Sequence, residues 1–176
     1  MKQKNIKEKI KEYFFLNPTV KARVRQIERV LHVPLPSVIR YVRELEKEGI
    51  LKRSVSANIT TYSADRISRQ FLLEKKFFNI QCLYASGLID TLIKELSNPT
   101  IVVFGSYARS EDIETSDIDL YIETLDTRKI RLDSFEHKLQ RKIQIFIYKN
   151  IHDIENKHLA NNIVNGVLLN GSIEVF

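Results

Sequence analysis

The chain has 176 residues, of which 43% are hydrophobic and 28% are charged, and its formal net charge is +6. That length is enough for one sizeable core or two small ones. The apolar runs are far shorter than the roughly 20 residues of a membrane-spanning helix, so we expect a cytoplasmic protein without membrane contact. Cys82 is the single cysteine, which excludes an internal disulfide and leaves a cysteine-based zinc site without its usual partners.

The charge is distributed unevenly along the chain. Residues 1–66 contain 15 Lys and Arg against 7 Asp and Glu, whereas the remaining residues contain 13 against 15. A basic surface of this kind suits a polyanion, although a run of charge is also typical of an ordinary solvated helix face. Charge alone therefore places the candidate polyanion surface in the first third without identifying the partner.

Apolar periodicity in the first third predicts three helices followed by a hairpin. The first helix is expected to end before Pro18, the second before Pro34, and the third to occupy residues 36–49. The pattern then becomes extended and predicts a hairpin that turns near Ala57-Asn58. This order is that of a winged helix-turn-helix, and residues 36–53 resemble the recognition helix and first wing strand of bacterial and archaeal winged-helix regulators.

The resemblance covers about residues 5–65 and implies double-stranded DNA as a partner. The third helix would enter the major groove, and Arg40 is the best candidate for a base contact because it is central on the exposed face. Further candidates for contacts with bases or phosphates are Ser37, Tyr41 and Arg43 on the helix, and Lys52 and Arg53 on the wing. The alternative is a winged helix used only for protein contacts or dimerisation.

Residues 66–87 predict a helical connector that is rich in phenylalanine. Apolar residues continue at helical spacing as far as Leu96, with an interruption expected at Ser86-Gly87. The connector either joins two domains or builds a dimer interface. Because winged-helix regulators commonly bind two half-sites, we expect a homodimer.

Residues 88–176 predict a small α/β domain with a mixed sheet. The run from Thr100 to Phe104 predicts a buried strand, and Asp117 and Asp119 lie at the start of the next one, where their spacing of two puts them on the same face. Adjacent carboxylates repel unless a cation lies between them, and oxygen ligands favour Mg²⁺ completed by phosphate and water. The end of the chain, residues 167–176, predicts a hairpin.

The Gly105-Ser106 turn followed by Ser116-Asp117-x-Asp119 resembles the DNA polymerase β-like nucleotidyltransferase superfamily, in particular its minimal members. The resemblance covers about residues 88–176 and implies transfer of a nucleotidyl group from a Mg²⁺-bound nucleoside triphosphate to an unidentified acceptor. It also implies specific roles for residues of the motif. Asp117 and Asp119 would be the catalytic and metal-binding residues, and the nucleotide-binding residues would be Gly105, Ser106, Arg109 and Ser116.

Two positions depart from the family pattern: Gln144 stands where the third carboxylate is expected, and Ser110 where many members have glycine. An amide is a poor ligand for a hard cation and cannot act as a base, so we expect weak or absent transfer. If transfer is nevertheless efficient, the next candidates for the third carboxylate are Glu111, Asp112 and Glu123.

The sequence therefore predicts an α+β protein with three parts. Residues 1–65 form a winged helix-turn-helix, residues 66–87 a helical connector, and residues 88–176 a small nucleotidyltransferase domain. Three functions stay open at this point. The chain is a nucleotidyltransferase tethered to DNA, a transcription regulator whose second domain senses nucleotide without transferring it, or an antitoxin-type protein that pairs with a toxin.

Overall fold

The computed structural model describes residues 5–126 and 128–175. Its backbone contacts divide the chain into two compact units, Met1–Phe78 and Asn79–Phe176. The division lies inside the segment that the sequence predicts as a connector. Over the described part of the chain, no helix combines the length and the apolar character that crossing a membrane requires.

The first unit contains three helices, a three-stranded antiparallel sheet and the beginning of a fourth helix. Strand β3 lies between β1 and β2. The predicted helices and hairpin are present, whereas β1 is only two residues long and showed no pattern that would predict it. The elements are α1 (Ile6–Leu16), β1 (Lys21–Ala22), α2 (Val24–Leu31), α3 (Leu35–Lys47), β2 (Leu51–Ser56) and β3 (Ile59–Ala64).

The core of the first unit determines which face of α3 is exposed. Val38, Val42 and Leu45, spaced at helical intervals, are completely buried. The hairpin turns at Ala57 and Asn58, whose φ angles of 47° and 60° are those of a type I′ turn, with a twist that matches the two strands. The polar side of α3 and the hairpin therefore remain available to solvent.

Two helices cover the region of the predicted connector: α4 (Arg69–Ala85) and α5 (Leu88–Glu95). The predicted interruption at Ser86-Gly87 is confirmed, and Gly87 has a φ of 83°. Within the first unit, Lys75 of α4 is fully buried and its Nζ donates to the carbonyl oxygen of Phe15 at 3.1 Å. That carbonyl belongs to the last turn of α1, where a cation is favoured by the helix dipole.

The second unit is built on a four-stranded mixed sheet in the order β6-β5-β4-β7. Strands β5 and β6 are parallel, whereas β4 is antiparallel to both of its neighbours. The predicted mixed sheet is therefore confirmed. After α5, the elements are β4 (Thr100–Phe104), α6 (Gly105–Arg109), β5 (Ile118–Glu123), α7 (Asp133–Leu139), β6 (Ile143–Tyr148), a 3-10 turn (Ile151–Asp153), α8 (Lys157–Val164) and β7 (Val167–Asn170).

Both faces of this sheet are covered. On one face, Ile101, Val103 and Leu120 belong to a core that includes α5 and α7. On the other face, Val102 and Tyr121 pack with the 3-10 turn and α8. Burial on both faces explains why β4 is apolar along its length. Polar groups of the central strands consequently concentrate where the strands begin and end.

The predicted C-terminal hairpin is wrong. Residues 167–170 form β7, which pairs antiparallel with β4, and residues 171–175 form no strand. The last residue of the predicted hairpin, Phe176, lies outside the described residues. An isolated two-stranded hairpin is marginally stable in water, and pairing with a sheet that is already packed on a core is more favourable.

Ser110, which follows α6, is under local strain. Its φ is 63°, its residue surface is 3% exposed, and its Oγ has no hydrogen-bond partner within the described residues. We expect Ser110→Gly to raise the free energy of unfolding by about 1 kcal/mol, because relief of the left-handed backbone and of the unpaired hydroxyl exceeds the added entropy of the unfolded chain. Urea denaturation of the full chain measures this difference.

Gln140, at the end of α7, provides a matched control because its φ is 54° but its side chain is exposed. Gln140→Gly tests the backbone contribution alone, and Ser110→Ala tests removal of the hydroxyl alone. We expect both variants to gain less stability than Ser110→Gly. A Ser110→Gly protein that unfolds at lower urea than the wild type would contradict the assignment of strain.

Candidate functional site

The polar residues that the sequence singles out meet at one end of the four-stranded sheet. Phe104, the last residue of β4, is in register with Asp119 of β5. On its other side, Asp119 is in register with Gln144 of β6. Since neighbouring strands lie about 4.8 Å apart, the residue after β4, Asp119 and Gln144 form a row across the end of the sheet. Asp117 directly precedes β5 at the same end.

Gly105 lies directly against the carboxylate of Asp119. It has a φ of 72°, and a Cβ added at this position would overlap Oδ2 of Asp119. Any other residue would therefore be strained in its backbone and would displace the carboxylate. The glycine of the motif determines where the carboxylate lies, in addition to allowing the turn from β4 into α6.

The other predicted nucleotide-binding residues surround this contact. Ser106 is half-buried in the first turn of α6. Arg109 ends that helix with a side chain that is 52% exposed, and its Nε lies 2.8 Å from Oε2 of Glu111. The Oγ of Ser116 accepts a hydrogen bond from the amide of Ile113 at 2.9 Å, which closes a turn immediately before Asp117. Ser116 thus has a clear role in shaping the loop.

The two aspartates repel each other. Partial burial, and then the negative charge of Asp117, raise the pKa of Asp119 above its usual range, while Arg109 acts in the opposite direction. Within the described residues, no three His, Cys, Asp or Glu side chains cluster as a complete metal site. Two carboxylates nevertheless fit a hard divalent cation whose other ligands come from phosphate and water.

The substitute candidates for the third carboxylate lie at the far end of β5 or are engaged by other residues. Glu123 is in register with Thr100, at the opposite end of β4, and accepts a hydrogen bond from the Tyr121 hydroxyl at 2.7 Å. Asp112 is 2% exposed, and its Oδ1 accepts from Nδ2 of Asn79 at 3.0 Å. Glu111 is engaged by Arg109. On β6, the residue in register with Asp119 is Gln144.

A buried polar network behind the site escaped prediction. Nδ2 of Asn79 donates to the carbonyl of Tyr107 at 2.9 Å and to Asp112 at 3.0 Å, and the Tyr107 hydroxyl donates to the carbonyl of Asn79 at 3.3 Å. The network ties α6 and the loop that leads to Asp117 to the same helical residue. The sequence did carry a sign of it, because Asn79 is a polar residue between the apolar residues Phe78 and Ile80.

A cavity of about 490 Å³ opens beside Asp117 on the side of β6. Its walls combine acidic and basic groups from the loop of residues 114–117, from α7 and from residues 140–142 before β6. His137, Arg141 and Lys142 supply the basic groups. The cavity is lined by Asp117 and by no residue of α6, and it leaves room next to Asp117 for a second molecule.

The residues predicted to contact DNA lie in the first unit. Arg40 is exposed on α3, but its guanidinium lies 4.3 Å from the centre of the Tyr41 ring, donates to the Tyr41 hydroxyl, and has its Nε 3.7 Å from Glu44. Arg43 is exposed, and Ser37 is half-buried. The two wing residues are adjacent on β2, so Lys52 and Arg53 project from opposite faces of the hairpin.

Comparisons with known proteins concern the second unit. Residues 87–172 match the family described as Polymerase beta, Nucleotidyltransferase. A protein of Methanocaldococcus jannaschii named as a protein adenylyltransferase is 34% identical over 68 residues, which cover 35% of this chain and 72% of that protein. The matched residues of the family include the Gly105-Ser106 turn and the pair Asp117 and Asp119. The chain belongs to the polymerase beta nucleotidyltransferase family.

Proposed function

We propose that the second unit binds a nucleoside triphosphate with Mg²⁺ at the end of its sheet and transfers the nucleotidyl group to an acceptor hydroxyl. The observation that carries this proposal is the packing of the Asp119 carboxylate against Gly105. Asp117 and Asp119 would hold the cation, which takes its remaining ligands from phosphate and water. Ser106 and the backbone amides that follow it would donate to phosphate oxygens.

The proposed reaction forms one bond and breaks one bond at the α-phosphorus. The acceptor oxygen bonds to that phosphorus, the bond to the bridging oxygen breaks, and pyrophosphate leaves with the bonding electrons. The proton of the acceptor hydroxyl passes to a base. Mg²⁺, when bound, would offset the charge of the triphosphate and polarise its oxygens. The name of the Methanocaldococcus jannaschii relative suggests ATP as the nucleotide and a protein hydroxyl as the acceptor.

Gln144 favours a second candidate function, in which the unit binds nucleotide and transfers it poorly. It stands in register with Asp119, where a third carboxylate would accept the acceptor's proton, and a neutral amide cannot do so. Binding needs only the aspartate pair and the Gly105-Ser106 turn. A protein of this kind would report nucleotide levels to the first unit's partner as a regulator.

We further propose that residues 5–65 form a winged helix-turn-helix that binds duplex DNA. The order of three helices and a hairpin, the exposed polar face of α3 and the excess of basic residues in this part of the chain support the proposal. The phosphate backbone would supply most of the affinity, and α3 would supply the contacts with bases.

Asp119→Asn should abolish Mg²⁺-dependent binding of ATP and at the same time raise the melting temperature of the nucleotide-free protein slightly. Both effects have one cause, because the substitution removes a partly buried charge that Asp117 repels and that a cation would neutralise. Calorimetric titration with ATP and Mg²⁺ measures binding, and thermal denaturation measures stability. The opposite signs distinguish loss of the site from loss of the fold.

Glu95→Gln is the matched control, because Glu95 is an exposed carboxylate of α5 that lies outside the site residues. It should leave both ATP binding and its Mg²⁺ dependence unchanged. The same titration with GTP, CTP and UTP tests whether ATP is the preferred nucleotide. Normal Mg²⁺-dependent ATP binding by Asp119→Asn would refute the site assignment.

Gln144→Asp should increase pyrophosphate release from ATP by at least about tenfold, because it restores a proton acceptor beside Asp119. Gln144→Asn, which keeps the amide and shortens the side chain in the same way, should remain at the wild-type rate. The rate is measured with a coupled pyrophosphate assay in the presence of Mg²⁺. Fast turnover by the wild type, unchanged in Gln144→Asp, would show that another group accepts the proton.

The full-length protein should bind duplex DNA with an affinity that falls by orders of magnitude between about 50 and 200 mM salt, as expected for several phosphate contacts. Arg40→Ala should weaken discrimination between sequences more than overall affinity. Fluorescence anisotropy with labelled genomic fragments measures both quantities. Absence of binding at about 50 mM salt would contradict DNA binding by the first unit.

A further inference from the structure

Two cavities of the first unit adjoin along the hairpin. One, of about 660 Å³, lies between α3 and the strands and is lined by Arg43, Lys47 and Arg53. The other, of about 550 Å³, lies between the start of α2 and the hairpin turn. Val24 and Thr60 line both cavities, which makes them one continuous depression, here called the wing groove. The second cavity contributes the arginines Arg23, Arg25 and Arg29.

The wing groove concentrates basic residues that other residues do not neutralise. Lys7 and Lys11, by contrast, are paired: Nζ of Lys7 lies 2.6 Å from Glu48, and Nζ of Lys11 lies 2.7 Å from Glu74. None of the six basic residues of the groove forms an ion pair within residues 5–126 and 128–175, and Glu46 is the only acidic residue among those that line it.

This distribution of charge indicates which side of α3 attracts a polyanion more strongly. On the α1 side of the helix, Glu44 attracts both Lys7 and Arg40, so positive charge there is already offset. On the hairpin side, the cations repel one another and an anion relieves the repulsion. Arginine suits phosphate in particular, since its planar guanidinium donates two parallel hydrogen bonds.

The number of basic residues in the wing groove indicates which kind of anion it binds. A single phosphate group can neutralise one or two of six cations that line two adjoining cavities. Duplex DNA presents a phosphate every ~3.4 Å along each strand, so it offers several phosphates to these cations at once. We propose that the sugar-phosphate backbone of duplex DNA lies in the wing groove, with Arg23, Arg25 and Arg29 as phosphate contacts. This inference rests on the proposed DNA binding and assigns its main electrostatic surface.

The hairpin supplies an internal comparison. Arg53 lines the wing groove, whereas Lys52 projects from the opposite face of β2 and lines neither cavity. The backbone of the DNA therefore contacts the Arg53 face of the wing, and Lys52 contributes only long-range attraction. Sequence position alone makes the two residues equivalent.

The test compares two triple variants of the full-length protein that remove the same charge. Arg23→Gln/Arg25→Gln/Arg29→Gln removes exposed cations of the groove, and Lys21→Gln/Arg69→Gln/Lys76→Gln removes exposed cations outside it. Anisotropy titrations with one duplex of about 25 base pairs over a range of salt concentrations give the slope of log affinity against log salt. Thermal denaturation verifies that both variants remain folded.

We expect the groove variant to lower the slope by about three and the affinity at about 100 mM salt by at least a hundredfold, and the control variant to change the slope by less than one. Equal losses in both variants would overturn the groove assignment while leaving DNA binding in place. A wild type that binds no duplex would instead overturn the proposed DNA binding and this inference together.

A parallel titration separates DNA from a free anion as the occupant. Inorganic pyrophosphate is added to the wild type and to the groove variant, and heat of binding is measured. We expect both proteins to bind pyrophosphate weakly, with similar millimolar dissociation constants. Micromolar pyrophosphate binding that the groove variant loses, together with a duplex affinity that it retains, would overturn the proposal in favour of a small phosphorylated ligand.

Discussion

The contact between Gly105 and the Asp119 carboxylate is the constraint on which the second unit's site depends. It exists because β4 and β5 are antiparallel neighbours in a register that puts the end of β4 opposite Asp119. The backbone at Gly105 enters the left-handed region to begin α6, and the missing side chain leaves the space that the carboxylate occupies. One close approach thereby fixes both the turn into α6 and the position of the Asp119 carboxylate.

The electrostatic repulsion between the two aspartates favours binding of a cation, because a cation would relieve it. Two carboxylates lie at the end of a sheet whose interior is apolar, and burial and mutual repulsion raise the pKa of Asp119. The buried network of Asn79, Tyr107 and Asp112 joins α6 and the following loop to α4. Rigid support of repelling charges is a common physical basis for cation binding.

Much of this architecture was predictable because it follows from local pattern. Helical periodicity predicted α1 to α3, and Ser86-Gly87 marked the break between α4 and α5. Alternation and spacing predicted that Asp117 and Asp119 lie together, and in these cases the residues that determine the outcome are close in sequence. The place of Gln144 was implied by the family resemblance, and the structure puts it in register with Asp119.

The features that escaped prediction depend on residues that are distant in sequence. The pairing of β7 with β4, the hydrogen bonds of Asn79 with Asp112, and the neutralisation of Glu44 by Lys7 all join different elements. The sequence also ranked Arg40 first among the candidate base contacts because of its exposed position on the helix. The contacts of its guanidinium with Tyr41 and Glu44 are visible only in the structure. Arg23, Arg25 and Arg29 gained importance only once the hairpin was seen to lie beside α2.

The position of β7 has a consequence for how the second unit is made. Ile101 of β4 is in register with Asn170 of β7, so this half of the sheet closes over a long stretch of intervening chain. Contacts between residues so far apart in sequence form slowly, because closing the loop costs conformational entropy before strand pairing contributes favourable energy. During synthesis, β4, α6 and β5 emerge while the other edge of β4 is still unpaired. Until β7 pairs with it, that open edge is available for pairing with another nascent chain.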